Sequence, residues 1–177
     1  DYHVAATLII VAGIFDMIDG RVARMTQTTS TFGMQYDSLA DLSSFGLAPS
    51  LLLFSWGLEE FGRVGWIASF LFFVCAALRL ARFNTQALQS SKRMRYFTGL
   101  PVPVAAGMVS TTIILHHFLG GDGTTRHILV LLMAFLLAFL MISTVKYRTF
   151  KDLNLRAQHS FQALVVFVAG ALLILSN

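Results

Sequence analysis

Asp16-Met17-Ile18-Asp19-Gly20-Arg21-Val22-Ala23-Arg24 is followed, eight residues on, by Gly33-Met34-Gln35-Tyr36-Asp37-Ser38-Leu39-Ala40-Asp41. Four carboxylates recur at intervals of three and four inside stretches that are otherwise apolar. Intervals of three and four put side chains on one face of a helix, so the stretch predicts two helices with acidic faces. Ionised groups at membrane depth are costly and persist where they have a role. Grouped carboxylates offer oxygen ligands alone, which suit hard divalent cations such as Mg²⁺ or Mn²⁺.

The surrounding chain supplies the apolar setting. Of 177 residues, 56% are hydrophobic and 12% are charged, with 16 Phe, and the mean hydropathy is +0.71. A soluble domain carries about 25% charged residues. The composition therefore predicts an all-α, polytopic integral membrane helix bundle. Continuous apolar runs, not alternating ones, select helices over a barrel. Six spans are expected, at residues 4–24, 37–56, 64–83, 101–118, 127–145 and 160–176. They form a single domain over 1–177. The first, second and fourth spans carry polar residues and are expected to face the bundle interior, whereas the almost purely apolar fifth is expected to face lipid. Trp56 and Trp66 flank one loop as expected interfacial anchors. The single cysteine, Cys75, excludes an intrachain disulfide and reads as a small buried hydrophobe.

Charge sets the orientation. Arg21, Arg24, Arg79, Arg82, Lys92, Arg93, Arg95, Lys146, Arg148, Lys151 and Arg156 fall on one side, and Arg63 and Arg126 on the other, 11 of 13 basic residues against 2. The positive-inside rule places the larger set in the cytoplasm, together with the carboxylates. Both ends of the sequence then lie outside. Because the chain starts at Asp1 and not Met, with no signal peptide, one further helix is expected upstream. The net charge of +4 belongs to loops beside anionic headgroups. The basic residues are spread along one membrane face without a binding module, so nucleic acid is not an expected partner.

On this topology Asp16 and Asp19 lie near the cytoplasmic end of the first span, with Gly20 and Ala23 on the same face and Arg24 at the helix end. The polar run Thr26–Thr31 turns the chain, and Gly33, Asp37 and Asp41 line one face of the next helix. Two antiparallel helices bring the four acids together, where they would repel unless cations neutralised them. The competing reading pairs the acids with Arg21, Arg24, Arg79 and Arg82 in a buried ion-pair network, which leaves Gly20 and Ala23 on the acidic face without explanation.

The eight positions Asp16, Asp19, Gly20, Ala23, Arg24, Gly33, Asp37 and Asp41 resemble the signature of the CDP-alcohol phosphotransferase family. That resemblance implies transfer of a phosphoryl-linked group from a CDP-alcohol to a hydroxyl acceptor, with release of CMP. It implies two divalent cations, Mg²⁺ or Mn²⁺, held by Asp16, Asp19 and Asp37. Asp41 is implied as a ligand, or as a neighbour of the metals, and as the general base. Asp19, Gly20, Ala23, Arg24 and Gly33 would contact the CDP group. A homodimer is implied as well.

Further segments are similar to the membrane phosphatidylserine synthases within that family. They are Ser43-Ser44-Phe45-Gly46-Leu47-Ala48-Pro49, Leu78-Arg79-Leu80-Ala81-Arg82-Phe83-Asn84 and Phe97-Thr98-Gly99-Leu100-Pro101-Val102-Pro103. They imply CDP-diacylglycerol and L-serine as substrates. One of Arg79 and Arg82 then fits the serine carboxylate and the other the lipid phosphate, with Asn84 on the amino acid; the alternative is a pair of arginines snorkelling at a helix end. Glycerol 3-phosphate or an inositol compound is the alternative acceptor. An acidic intramembrane site in a cation channel or transporter is the alternative of another class. His116, His117 and His127 fall on the outer side, away from the acids, His3 and His159 read as interfacial, and Gly99–Pro103 reads as a turn and helix start.

Overall fold

The computed structural model describes residues 1–25, 30–89, 96–121, 128–143 and 146–148. The expected span at 160–176 lies outside the described residues, as do His127, His159 and the basic residues 92–95. The first helix, α1 (Tyr2–Met25), is followed by a continuous helical rod. The rod comprises α2 (Thr31–Asp41), a π-helical segment Leu42–Leu47, α3 (Ala48–Leu53), a second π-helical segment Phe54–Leu58 and a 3₁₀ turn Glu59–Phe61. Next come α4 (Arg63–Gln89), β1 (Tyr96–Thr98), α5 (Val102–Phe118), α6 (Ile128–Ile142) and β2 (Lys146–Arg148). Three of these stretches, Tyr2–Val22, Phe32–Phe61 and Arg63–Gln86, are long and apolar enough to cross a membrane, and α5 and α6 are shorter apolar helices. The chain is an integral membrane helix bundle.

The second rod starts at Thr31, six residues before the start expected from hydropathy. The Ser30 hydroxyl accepts the Gly33 N–H at 2.9 Å and caps the helix, so polar residues of the loop side are drawn into the first turn. The π-helical segment has a local cause in Pro49. Proline lacks the N–H of an α-helical bond and its ring crowds the carbonyl four residues back. The chain ahead of it widens by one residue, and the Ala48 N–H reaches the Ser43 carbonyl. This widened turn begins at the residue after Asp41.

Helix α4 packs chiefly on α6, and α1 on α5. Lipid is as apolar as the side chains, so close packing between helices supplies the attraction. Small residues make that approach possible: Ala68 and Ala76 of α4, Ala105 and Ala106 of α5 and Ala134 and Ala138 of α6 are fully buried. Two expectations are revised here. Helix α6 is two-faced. Val130, Leu131, Leu137 and Met141 are buried while Leu132, Leu136 and Phe139 point outward, because one side of it forms the α4 contact. Among the described side chains of α1, Ala6 and Ile9 are the buried ones, and Phe15, Met17 and Ile18 are exposed. Asp16 is half-buried and Asp19 exposed, not in a bundle interior.

The bundle has two distinct ends. At one, His3 stacks on His117 with centroids 4.2 Å apart, and Trp56 meets His116 edge-on at 5.4 Å. Trp56 is buried in the core and is not the interfacial anchor expected of it, whereas Trp66 is exposed. At the other end β1 pairs antiparallel with β2, Tyr96 opposite Arg148 and Thr98 opposite Lys146. This short ribbon, absent from the sequence reading, leads into Gly99, whose φ of 80° few other residues adopt. The Leu100 N–H then donates to the Leu140 carbonyl at 3.0 Å, fastening the start of α5 to the last turn of α6. Cys75 is buried within the core.

Candidate metal and nucleotide site

The carboxylate end is built by α1, α2 and α4. Asp16 and Asp19 stand one turn apart near the end of α1, and Asp37 comes from α2. One carboxylate oxygen from each of the three lies within 4.8 Å of the others. Asp41, one turn further along α2, has its carboxyl in hydrogen-bond reach of Asp16. Asp19 and Asp37 are exposed and Asp16 and Asp41 half-buried, so the cluster opens outward. Three oxygen donors converging from two helices, with a fourth carboxylate alongside, fit hard divalent cations. Like charges this close also call for cations among them.

The small residues of the motif separate into two kinds. A methyl group at Gly20 would meet no atom of the described residues within 4 Å beyond its own turn of helix. Packing within the protein therefore gives no reason for glycine there, and the space lies one residue from Asp19. A methyl group at Gly33 would meet the Ser30 hydroxyl at 3.1 Å, so glycine there admits the cap of α2. Ala23 and Arg24 lie in the last turn of α1, and their side chains fall outside the described residues.

On α4, Arg79 faces Asp41 electrostatically. Its Nε is buried with no hydrogen-bond partner among the described residues, and its guanidinium carbon lies 5.8 Å from the centre of the Phe83 ring. Arg82 is placed otherwise. Its Nη1 donates to the Ile142 carbonyl at 3.0 Å, where a cation meets the negative end of the α6 dipole. With Arg82 engaged there, the ion-pair network weighed from sequence has one of its four basic members otherwise disposed, while Arg79 stays close to Asp41. Asn84 is buried and bonds across to α2. Its Nδ2 donates to Ser38 Oγ at 2.9 Å and to Gln35 Oε1 at 3.2 Å. Sequence reasoning gave Ser38 and Gln35 no role. The available signal was their spacing of three on α2, a second polar stripe beside the carboxylate face.

A cluster of acids on two consecutive helices of a membrane bundle, with space at a glycine beside them, defines a class. The chain belongs to the CDP-alcohol phosphatidyltransferase family, whose model matches residues 1–145. Its relatives narrow the comparison. It is 43% identical over 156 residues to the CDP-diacylglycerol--serine O-phosphatidyltransferase of Helicobacter pylori (strain ATCC 700392 / 26695), a match covering 86% of this chain and 64% of that protein. The enzyme of the same name from Methanocaldococcus jannaschii is 37% identical over 142 residues, 80% of this chain and 62% of its own. That from Mycobacterium leprae is 43% identical over 105 residues, 58% and 35% respectively. The chain thus spans less than two thirds of the length of these curated relatives.

Proposed function

We propose that this chain is the membrane domain of a phosphatidyltransferase that converts CDP-diacylglycerol and L-serine into phosphatidylserine and CMP. The observation that carries the reading is the convergence of Asp16, Asp19 and Asp37, with Asp41 beside them and open space at Gly20. The names of the relatives support serine as acceptor. The domain is taken to extend over residues 1–177, to work as a homodimer in the cytoplasmic membrane, and to present the site on the cytoplasmic side, where basic loops predominate.

In this reading Asp16, Asp19 and Asp37 hold two divalent cations, Mg²⁺ or Mn²⁺. When bound, these offset the charge of the diphosphate and of the departing CMP. Gly20 and Gly33, with Ala23 and Arg24, border the cytidine and diphosphate. The serine hydroxyl oxygen attacks the phosphorus that bears the diacylglycerol. A new oxygen–phosphorus bond forms, the anhydride bond breaks, and CMP leaves with the electron pair. Asp41 takes the hydroxyl proton. Arg79, beside Asp41 and with an unpaired Nε, is placed to receive the serine carboxylate. Arg82 retains further N–H groups for the lipid phosphate.

The test is CMP release from CDP-diacylglycerol by the full-length protein in detergent, with Mn²⁺ or Mg²⁺ and with L-serine, glycerol 3-phosphate or inositol compounds. Metal-dependent release that requires serine is expected. Release with another acceptor instead would refute the serine assignment. No release with any acceptor would refute the enzyme reading and return the cluster to ion transport.

A further inference from the structure

We propose that Asn84 is the positioning residue of the carboxylate site. Its amide pins α2 to α4 through Ser38 and Gln35 and so fixes where Asp37 and Asp41 stand. The inference rests on the reading that these carboxylates hold divalent cations.

A side-chain amide has two N–H groups and one carbonyl. Both Asn84 N–H groups are engaged, with Ser38 Oγ at 2.9 Å and Gln35 Oε1 at 3.2 Å. The Ser38 hydroxyl in turn has two acceptors within reach, Asn84 Oδ1 at 3.1 Å and the Met34 carbonyl at 3.0 Å. Asn84 is only 8% exposed. It has no N–H left to offer an acceptor without breaking the link between the helices. Gln35 and Ser38 are separated in sequence from Asn84 by 49 and 46 residues, so the contact is tertiary.

The link acts on the carboxylates through helix geometry. Successive residues turn by about 100°, which sets Ser38 roughly 100° from Asp37 and 60° from Asp41 around α2. The pin and the acids thus occupy adjoining faces of one short helix. The third face carries Phe32, Tyr36 and Leu39, all exposed among the described residues, so the Asn84 contact is a tertiary restraint on the free end of this rod. A carboxylate lies roughly 5 Å from the helix axis, so a 20° rotation moves it by about 1.7 Å, against a tolerance of about 0.2 Å in metal–ligand distances. Loss of the pin therefore displaces the carboxylates by more than cation binding tolerates.

The experiment measures Mn²⁺ binding to the full-length protein in detergent by calorimetry or electron paramagnetic resonance, without substrate. Asn84→Ala and Ser38→Ala are compared with Ser38→Thr, which keeps the hydroxyl. Both alanine variants are expected to remain folded and to bind Mn²⁺ at least tenfold more weakly, and Ser38→Thr to bind normally. The KM for L-serine at saturating Mn²⁺ is expected to stay unchanged. Unaltered Mn²⁺ binding with a raised serine KM in Asn84→Ala would overturn the proposal and make Asn84 an acceptor contact. If Asn84→Ala fails to fold, Ser38→Ala decides the matter by the same measure, since it deletes one half-buried hydroxyl. Absence of transfer activity alongside the expected Mn²⁺ results would defeat the proposed reaction and leave the positioning role standing.

Discussion

Replacing Gly99 by alanine tests how the ribbon end of the bundle is held. Gly99 has φ 80°, and a methyl group there would approach the Met141 carbonyl oxygen to 2.4 Å and that of Ser143 to 3.2 Å. The left-handed backbone alone costs a residue with a Cβ about 1–2 kcal/mol. Relieving the contact requires the end of α6 to retreat by nearly 1 Å, which also stretches the 3.0 Å bond from the Leu100 N–H to the Leu140 carbonyl, worth about 1 kcal/mol. The total is roughly 2–3 kcal/mol, or about 5–10 °C in the unfolding midpoint for a chain of this size. Cys75, the one cysteine of the sequence and buried in the core, provides the assay: a thiol-reactive fluorophore labels it as the bundle opens. Gly99→Asn separates the two terms, because asparagine tolerates the left-handed region yet brings the same Cβ contact. An unchanged midpoint for Gly99→Ala would refute the packing of Gly99 against the end of α6.

Other substitutions test the site. Gly20→Ala is expected to raise stability by about 0.5–1 kcal/mol, since alanine is the better helix former, and to raise the KM for CDP-diacylglycerol; unfolding and steady-state kinetics report the two effects. Asp41→Asn is expected to lower turnover by roughly 10²–10⁴-fold, the usual contribution of a general base, while Mn²⁺ binding persists because Asp16, Asp19 and Asp37 converge without it. Arg79→Ala is expected to raise the serine KM with little change in the unfolding midpoint. Arg82→Ala is expected to lose about 1.5–3 kcal/mol of stability, the range for a hydrogen bond to a charged group, through the Ile142 carbonyl it holds. An exchange of these two phenotypes would reverse the roles of the arginines.

Much of this architecture is legible in sequence because lipid leaves few choices. Apolar runs locate α1, α5 and α6 and the start of α4 to within a few residues, and the spacing of Asp16, Asp19, Asp37 and Asp41 anticipates their convergence. Hydropathy does not report which side of an apolar helix meets protein, so the packing of α6 on α4 and the outward face of α1 emerge only in three dimensions. Trp56 illustrates the same point: its position in sequence suits an interface, and its neighbours bury it. The β1–β2 pairing depends on residues about 50 apart, which no local pattern records. The different fates of Arg79 and Arg82, three residues apart on one helix, are set by the end of α6, and the second polar stripe of α2 gains meaning only from Asn84 opposite.

The most direct test of the account is incorporation of isotopically labelled L-serine into chloroform-soluble lipid by the full-length protein, measured together with CMP. The account predicts one labelled lipid per CMP released, dependent on Mn²⁺ or Mg²⁺ and lost in Asp41→Asn. CMP release without labelled lipid would contradict it, because the carboxylate site would then be directing the phosphoryl group to water or to another acceptor.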